Sequence, residues 1–266
     1  MKNKKIAIIG IGNMGTAIIK GLVTSDFMPP GDIHAYVRKE ATLDKMKQLG
    51  ISIFQSNEDA VKNADVVIVA VKPYHIEGVL SEINEVLTED KILISIVAAV
   101  GLRVLDEMVG KEIPIFRVMP NTAIAIQESL TCISANGNTE ACKDSIFELF
   151  NALGKTVEID EDLMAAATVL ASCGIAYALR YIRAAMQGGI EIGFGADVAQ
   201  FITAQTVKGA AELILRSGNH PEREIDKVTT PMGITITGLN EMENKGFSAS
   251  LIQGVLASYK KIKPIQ

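Results

Sequence analysis

The chain has 266 residues, of which 48% are hydrophobic and 21% charged, and its formal net charge is −5. This length accommodates one large or two medium domains with a sizeable core, and the lack of a basic patch argues against a nucleic-acid partner. Its three scattered cysteines and three isolated histidines lack metal-ligand spacing, so we expect reduced thiols, a cytoplasmic location and no bound metal.

Short apolar runs alternate with helical patterns through residues 1–160. Helical periodicity is clear at Met14–Val23, Ile76–Leu87 and Thr139–Leu153. This alternation predicts an α/β fold, a doubly wound Rossmann-like sheet that is mostly parallel, and we assign residues 1–160 to a dinucleotide-binding domain. The predicted strands are Lys5–Ile9, Ile33–Val37, Val66–Val71, Ile92–Ile96, Ile115–Val118, Leu130–Ser134 and Thr156–Ile159.

The first predicted strand runs into a glycine motif, G-I-G-N-M-G, at the start of a helix. Gly10 permits a tight turn, Gly12 leaves room for a pyrophosphate, and Gly15 lets the helix pack on the strand. Backbone N–H groups at the helix start, including those of Asn13 and Met14, would bind the phosphates. A glycine turn without a ligand is the alternative interpretation.

The second predicted strand ends in two cations, Arg38 and Lys39, where NAD-binding proteins usually have an acidic residue. Arg can bind a 2′-phosphate through two hydrogen bonds, so we predict NADPH as the cofactor, with NADH possible. The alternative is a pair of solvated surface charges.

Other strand ends also carry candidate cofactor-binding residues, since ligands of such sheets bind beyond the carboxyl ends of the strands. Ala70 lies near the end of the third run, and Lys72 and Pro73 follow it, although Lys72 could be only a strand-end charge. Ala98 follows the fourth run in a segment of small residues that would let a nicotinamide ring lie close. Asn121 follows the fifth.

Residues 161–266 are predicted to form an all-helical domain. Its predicted helices lack one-sided polarity, which indicates burial in a homodimer or higher oligomer. Leu163–Leu179 has the length of a membrane span, but it is rich in small residues and Arg180 follows at once, so we expect a helix buried between protein surfaces. The helices are predicted at Leu163–Ile190, Asp197–Ser217, Pro231–Asn244 and Ser248–Lys261.

The segment Val228–Leu239 is the most unusual of the chain. Thr230 and Pro231 are typical of a helix start, but the residues that follow are poor helix formers. The amides of Gly233, Ile234 and Thr235 could bind a carboxylate there, with the Thr235 hydroxyl beside it. An ordinary capped helix is the alternative.

With these motifs the sequence resembles the pyrroline-5-carboxylate reductase family. The resemblance rests on Gly10–Gly15, Ala70–Pro73, Arg117–Thr122 and, most specifically, Val228–Leu239, which is similar to the signature V-[ST]-[ST]-P-G-G-x-T-x-x-G-L. It implies NAD(P)H-dependent reduction of 1-pyrroline-5-carboxylate to L-proline, a small-molecule imino-acid substrate, and a helical dimerisation domain. It also implies that Gly233, Ile234 and Thr235 bind substrate, with Thr235 catalytic.

The chain departs from the family pattern at three places. Ala123 stands where the family usually has Pro, and Met232 where the signature has its first Gly. The motif S-G-x-G-P-A-Y reads A-S-C-G-I-A-Y at Ala171–Tyr177, which puts Cys173 at its variable position and Ile175 in place of Pro. These departures bear on pocket shape and substrate choice.

Three other functions fit parts of the same pattern. A β-hydroxyacid dehydrogenase has a similar two-domain plan, but it needs a general acid, often Lys, that Leu163–Leu179 does not offer. Another imine reductase would share the cofactor domain. A non-catalytic NADP-binding sensor would bind the dinucleotide without turning it over.

Overall fold

The computed structural model describes residues 4–262, so the outermost residues of both predicted domains lie outside the described residues. The chain divides into two compact units, one containing the residues up to Cys173 together with the chain end from Tyr259, the other Gly174–Ser258. This division falls after the predicted boundary between residues 160 and 161, because the residues just before Cys173 pack with the sheet. The boundary of the functional domains stays a prediction.

The first unit is built on one eight-stranded sheet with the order β3-β2-β1-β4-β5-β6-β7-β8. All neighbouring strands pair in parallel except β6 and β7, which are antiparallel. The predicted doubly wound, mostly parallel sheet is therefore confirmed. The strands are β1 (Ile6–Ile9), β2 (Ile33–Tyr36), β3 (Ser52–Phe54), β4 (Val66–Val69), β5 (Ile92–Ser95), β6 (Ile115–Met119), β7 (Ser129–Ala135) and β8 (Gly154–Glu158).

Helices cover both faces of this sheet. In β1, Ile6 and Ile8 belong to one apolar cluster, whereas Ala7 and Ile9 belong to another on the opposite face. Burial of both faces explains why these strands are continuous apolar runs in the sequence. The helices are α1 (Asn13–Thr24), α2 (Glu40–Gln48), α3 (Asn57–Lys62), α4 (Ile76–Ile83), α5 (Leu102–Val109), α6 (Lys143–Asn151) and α7 (Met164–Ala167).

The described residues after 160 contain no strand, in agreement with the sequence. The predicted helix over Leu163–Ile190 exists, but its middle, Thr168–Cys173, is a π-helix. Pro231 does not begin a helix as predicted, since α11 begins three residues later. The helices that follow the π-helix are α8 (Gly174–Glu191), α9 (Ala196–Ser217), α10 (Pro221–Lys227), α11 (Ile234–Asn244) and α12 (Phe247–Lys261).

One continuous helical stretch, Glu161–Glu191, is long and apolar enough to cross a membrane, judged by length and composition alone. Only 11% of its apolar window is buried inside the single chain, so the expected burial between protein surfaces is not met within one chain. That helix needs a covering surface from elsewhere.

Candidate functional site

The glycine turn after β1 has the shape that close backbone packing requires. Gly10 has φ +94°, and a Cβ built there would lie 2.7 Å from the Ala70 carbonyl oxygen, so only glycine fits. A Cβ on Gly15 would collide with the Gly10 carbonyl, whereas the space beside Gly12 is open. The turn is thus packed against β4 on one side and accessible at Gly12.

The start of α1 presents unpaired amides beside this opening. Gly12 caps the helix, and the first α-helical hydrogen bond runs from the Thr16 amide to the Gly12 carbonyl, 3.0 Å. The amides of Asn13, Met14 and Gly15 therefore have no intrahelical acceptor. Such a helix start attracts anions through its N–H groups and its dipole.

Two cations lie at the same edge of the sheet. Arg38 and Lys39 follow β2, which pairs in parallel with β1, so they are at the same end of the sheet as the glycine turn. Both are exposed, and within residues 4–262 no ion pair is described for either. Both cations are therefore available to a 2′-phosphate.

The ends of β4 and β5 complete this edge. The Ala70 amide donates to the Ile9 carbonyl at 2.7 Å, which ties the β4 end to the glycine turn, while Lys72 is exposed and precedes a short 3-10 helix at Pro73–His75. Ala99, beside the predicted Ala98, has φ +64°. A non-glycine residue in this conformation costs about 1–2 kcal/mol, and such strain is concentrated at functional sites.

Asn121 is buried at the end of β6 and hydrogen-bonded within the chain. It is 6% exposed, its Oδ1 accepts from the Ala123 amide at 3.0 Å, and its Nδ2 donates to the Ala171 carbonyl at 3.3 Å. The Asn121 amide in turn donates to the Ser129 hydroxyl at 3.1 Å. The structure therefore assigns Asn121 to holding the β6 end, and its direct contact with the cofactor stays a prediction.

Sequence reasoning missed a partly buried ion pair between β6 and the residues that follow β8. Arg117, 7% exposed in the middle of β6, donates from Nη1 to Glu161 Oε1 at 2.6 Å. Glu161 also accepts from the Ser134 hydroxyl at 2.7 Å and from the Leu102 amide at 3.0 Å. The available signal was an arginine inside an otherwise apolar strand, because a buried charge requires a partner.

The predicted carboxylate-binding segment begins with a tight turn. The Gly233 amide donates to the Thr230 carbonyl at 2.9 Å, with Pro231 second in the turn and Met232, at φ +59°, third. This is the pattern of a type II turn, which favours glycine at the third position. Pro231 thus serves the turn, and Gly233 caps α11.

This geometry reduces the number of free amide donors in the predicted anion site. The Gly233 amide is committed to the turn, so the free donors among the three predicted residues are the amides of Ile234 and Thr235 at the first turn of α11. Both residues are exposed. Thr237, on the same helix, donates its hydroxyl to the Gly233 carbonyl at 3.2 Å.

Titratable groups near the sheet are shifted by burial. Burial lowers the pKa of His34, whose Nδ1 lies 3.2 Å from the Ala60 carbonyl oxygen, and raises the pKa of the Cys132 thiol. The three cysteines are free thiols, and the part of the chain that the structure describes contains no group of three or more metal-ligating side chains. Burial therefore favours the uncharged imidazole of His34 and the uncharged thiol of Cys132.

Comparison with known proteins gives two family matches. Residues 161–265 match the model described as pyrroline-5-carboxylate reductase dimerisation. Residues 5–99 match the model described as NADP oxidoreductase, coenzyme F420-dependent.

Similar proteins cover nearly the whole chain. Pyrroline-5-carboxylate reductase 1 of Dictyostelium discoideum is 43% identical over 96% of this chain, although this chain spans about half (49%) of its length. Pyrroline-5-carboxylate reductase 2 of that organism is 38% identical over 97% of this chain and 92% of its own. The crystal structure of Plasmodium falciparum pyrroline carboxylate reductase with NADP bound is 30% identical, has a TM-score of 0.91, and matches over 99% of this chain and 98% of its own.

Proposed function

The chain belongs to the pyrroline-5-carboxylate reductase family, and we propose that it reduces 1-pyrroline-5-carboxylate to L-proline with NADPH, the last step of proline biosynthesis. It is an oxidoreductase that acts on a carbon–nitrogen double bond. The observation that carries this conclusion is the family relationship over nearly the full chain, together with a Rossmann-like sheet whose glycine turn is open for a dinucleotide.

The residues present fit NADPH. The open face at Gly12 and the amides of Asn13 and Met14 would hold the pyrophosphate, and Arg38 and Lys39 the 2′-phosphate. We propose that Ala70, Lys72, Pro73 and Ala98 line the rest of the cofactor site. NADH lacks the 2′-phosphate, so we expect it to be the weaker cofactor.

The proposed reaction requires little chemistry from the side chains. Bound NADPH would supply a hydride from nicotinamide C4 to the imine carbon and leave as NADP+, while the ring nitrogen takes its proton from solution. The amides of Ile234 and Thr235 would bind the substrate carboxylate, each hydrogen bond to a charged group contributing roughly 1.5–3 kcal/mol. The Thr235 hydroxyl would hydrogen-bond the ring nitrogen, so positioning and exclusion of water dominate.

We propose that residues 161–266 act as the dimerisation and substrate domain. The match of residues 161–265 to a dimerisation family supports this, as do the large apolar side chains that α8 and α9 leave exposed. A second copy of the chain would cover these helices, and we therefore propose a homo-oligomeric cytoplasmic enzyme rather than a membrane-spanning one.

Replacing Thr235 with Ala tests the substrate site. Loss of the hydroxyl leaves the ring nitrogen unoriented, so we expect kcat to fall about ten-fold or more while the Kd for NADPH stays within about two-fold. Thr237→Ala is the matched control, since that hydroxyl is bonded within α11. Equal turnover of Thr235→Ala and the wild-type chain would remove Thr235 from the mechanism.

Replacing Arg38 with Ala tests the cofactor assignment. The variant loses a charged contact to the 2′-phosphate, so the Kd for NADPH should rise about ten-fold or more and that for NADH should change little. Arg103→Ala, which removes an exposed arginine on α5, controls for the overall charge. A rise of the same size for both cofactors would place the 2′-phosphate elsewhere.

A further inference from the structure

The helix that begins at Glu161 changes its hydrogen-bonding pattern next to the β6 end. Residues Thr168–Cys173 form a π-helix between two α-helical stretches. Short π segments inside α-helices occur frequently at functional sites. Ser172 lies in this segment, at the position where the motif S-G-x-G-P-A-Y has its first Gly.

Two hydrogen bonds join the π-helix to the loop after β6. The Ser172 hydroxyl donates to the Pro120 carbonyl at 2.6 Å, and Asn121 Nδ2 donates to the Ala171 carbonyl at 3.3 Å. Consecutive residues of one segment thus bind consecutive residues of the other. Asn121 is also held through its own Oδ1 and amide, so the loop offers a fixed anchor.

The anchored π-helix packs on the same residues as Ala98, which we propose lies beside the nicotinamide ring. Met119, Cys132 and Met164 form a small buried cluster, and Ala98 and Ala171 pack against it. Ala171 therefore touches the same cluster as Ala98. Since interiors are close-packed, a shift of the π-helix is transmitted through this cluster to Ala98 and to the strained Ala99.

We propose that Ser172 is a positioning residue for the nicotinamide ring. It acts through the Pro120 carbonyl, which fixes the π-helix, and through the cluster behind Ala98, and it does not itself touch the cofactor. The proposal rests on the proposed function in one respect, the placement of the nicotinamide ring beside Ala98. Binding of the rest of the dinucleotide, at the glycine turn and Arg38, does not depend on Ser172.

The test compares Ser172→Ala with Thr168→Ala. Thr168 lies in the same π-helix and donates its hydroxyl to the Met164 carbonyl at 2.7 Å, within the helix, so its loss removes a similar bond but no anchor. Ser172→Thr keeps a hydroxyl donor and serves as the rescue. Each variant is assayed for melting temperature, the Kd for NADPH, the fluorescence of bound NADPH, and the kinetic isotope effect with NADPH deuterated at the transferred position.

For Ser172→Ala we expect a Kd for NADPH within about two-fold of wild type, but lower fluorescence of the bound cofactor, because the nicotinamide ring is held less rigidly. The kcat should fall about five- to ten-fold, as expected for one lost hydrogen bond, with a larger isotope effect. Thr168→Ala and Ser172→Thr should match the wild-type chain in these readouts.

Equal cofactor fluorescence and isotope effect in Ser172→Ala and Thr168→Ala would overturn the proposal. If Ser172→Ala does not fold, Ser172→Cys, which keeps the size but donates weakly, carries the same expectation and the same refutation. Failure of the proposed function is distinguishable, because it would appear in the wild-type chain as cofactor binding without reduction of the imine.

Discussion

The two units of the chain differ sharply in how much of their apolar surface they bury. The unit around the sheet has continuous cores on both faces, including fully buried Phe116 and Phe150. In Gly174–Ser258, by contrast, Ala199 is the single residue classed as buried among those described, and it packs against Gly189. The first unit is thus complete in one chain, whereas the second requires another surface to cover it.

The exposed apolar side chains of α9 are expected to lie in the interface of the homo-oligomer. Replacing Phe201, 71% exposed on α9, with Glu should abolish the homo-oligomer, because a charge would be buried in the covering interface. Tyr74→Glu is the matched control, since Tyr74 is an aromatic residue of the first unit and is 78% exposed. Light scattering should then give the mass of one chain, 28.5 kDa, for Phe201→Glu only. An unchanged mass would place the interface elsewhere.

The stability of the first unit can be tested at the partly buried ion pair of Arg117 and Glu161. Glu161→Gln leaves the charge of Arg117 buried and poorly compensated, so the free energy of unfolding should fall by about 3 kcal/mol. Glu107→Gln breaks an exposed pair with Arg103 and should cost less than about 1 kcal/mol. Urea titration of both variants measures the difference. Equal losses would mean that the Arg117–Glu161 pair contributes no more to stability than the surface pair.

The turn before α11 is expected to contribute a small amount of backbone strain at Met232. Met232→Gly relieves a positive φ, and the gain is partly offset by the greater freedom of glycine in the unfolded chain, so stability should rise by about 0.5–1 kcal/mol. Asp26, at φ +51° in the first unit, is the control, and Asp26→Gly should gain less because Asp tolerates this conformation. If thermal unfolding shows no gain in stability for Met232→Gly, the backbone at Met232 is not strained.

Local rules made most of the first unit predictable. Runs such as Val66–Val69 are apolar throughout because both faces of the sheet are covered, and the glycine spacing at Gly10–Gly15 reflects contacts along a few residues. β3 escaped prediction because Ser52–Phe54 is a three-residue edge strand with a weak pattern. Sequence reasoning thus succeeds where the determinants are close together in the chain.

The features that the sequence did not predict depend mostly on contacts between residues far apart in the chain. The bond between Arg117 and Glu161 spans 44 residues, and that between Ser172 and Pro120 spans 52. A π-helix and an α-helix are also indistinguishable in a stretch of small residues such as Thr168–Cys173. At Val228–Leu239 the segment itself was recognised, but the use of Pro231 in a turn depends on the Gly233 amide bond, which no local pattern specifies.

The proposed reaction is tested by following NADPH absorbance with the purified chain and 1-pyrroline-5-carboxylate, with L-proline measured at the end. We predict that NADPH is consumed, and that one L-proline forms for each NADPH oxidised. NADPH binding without consumption would identify a sensor and rule out the proposed reaction. Reduction of NADP with a β-hydroxyacid as the hydride donor would also contradict it.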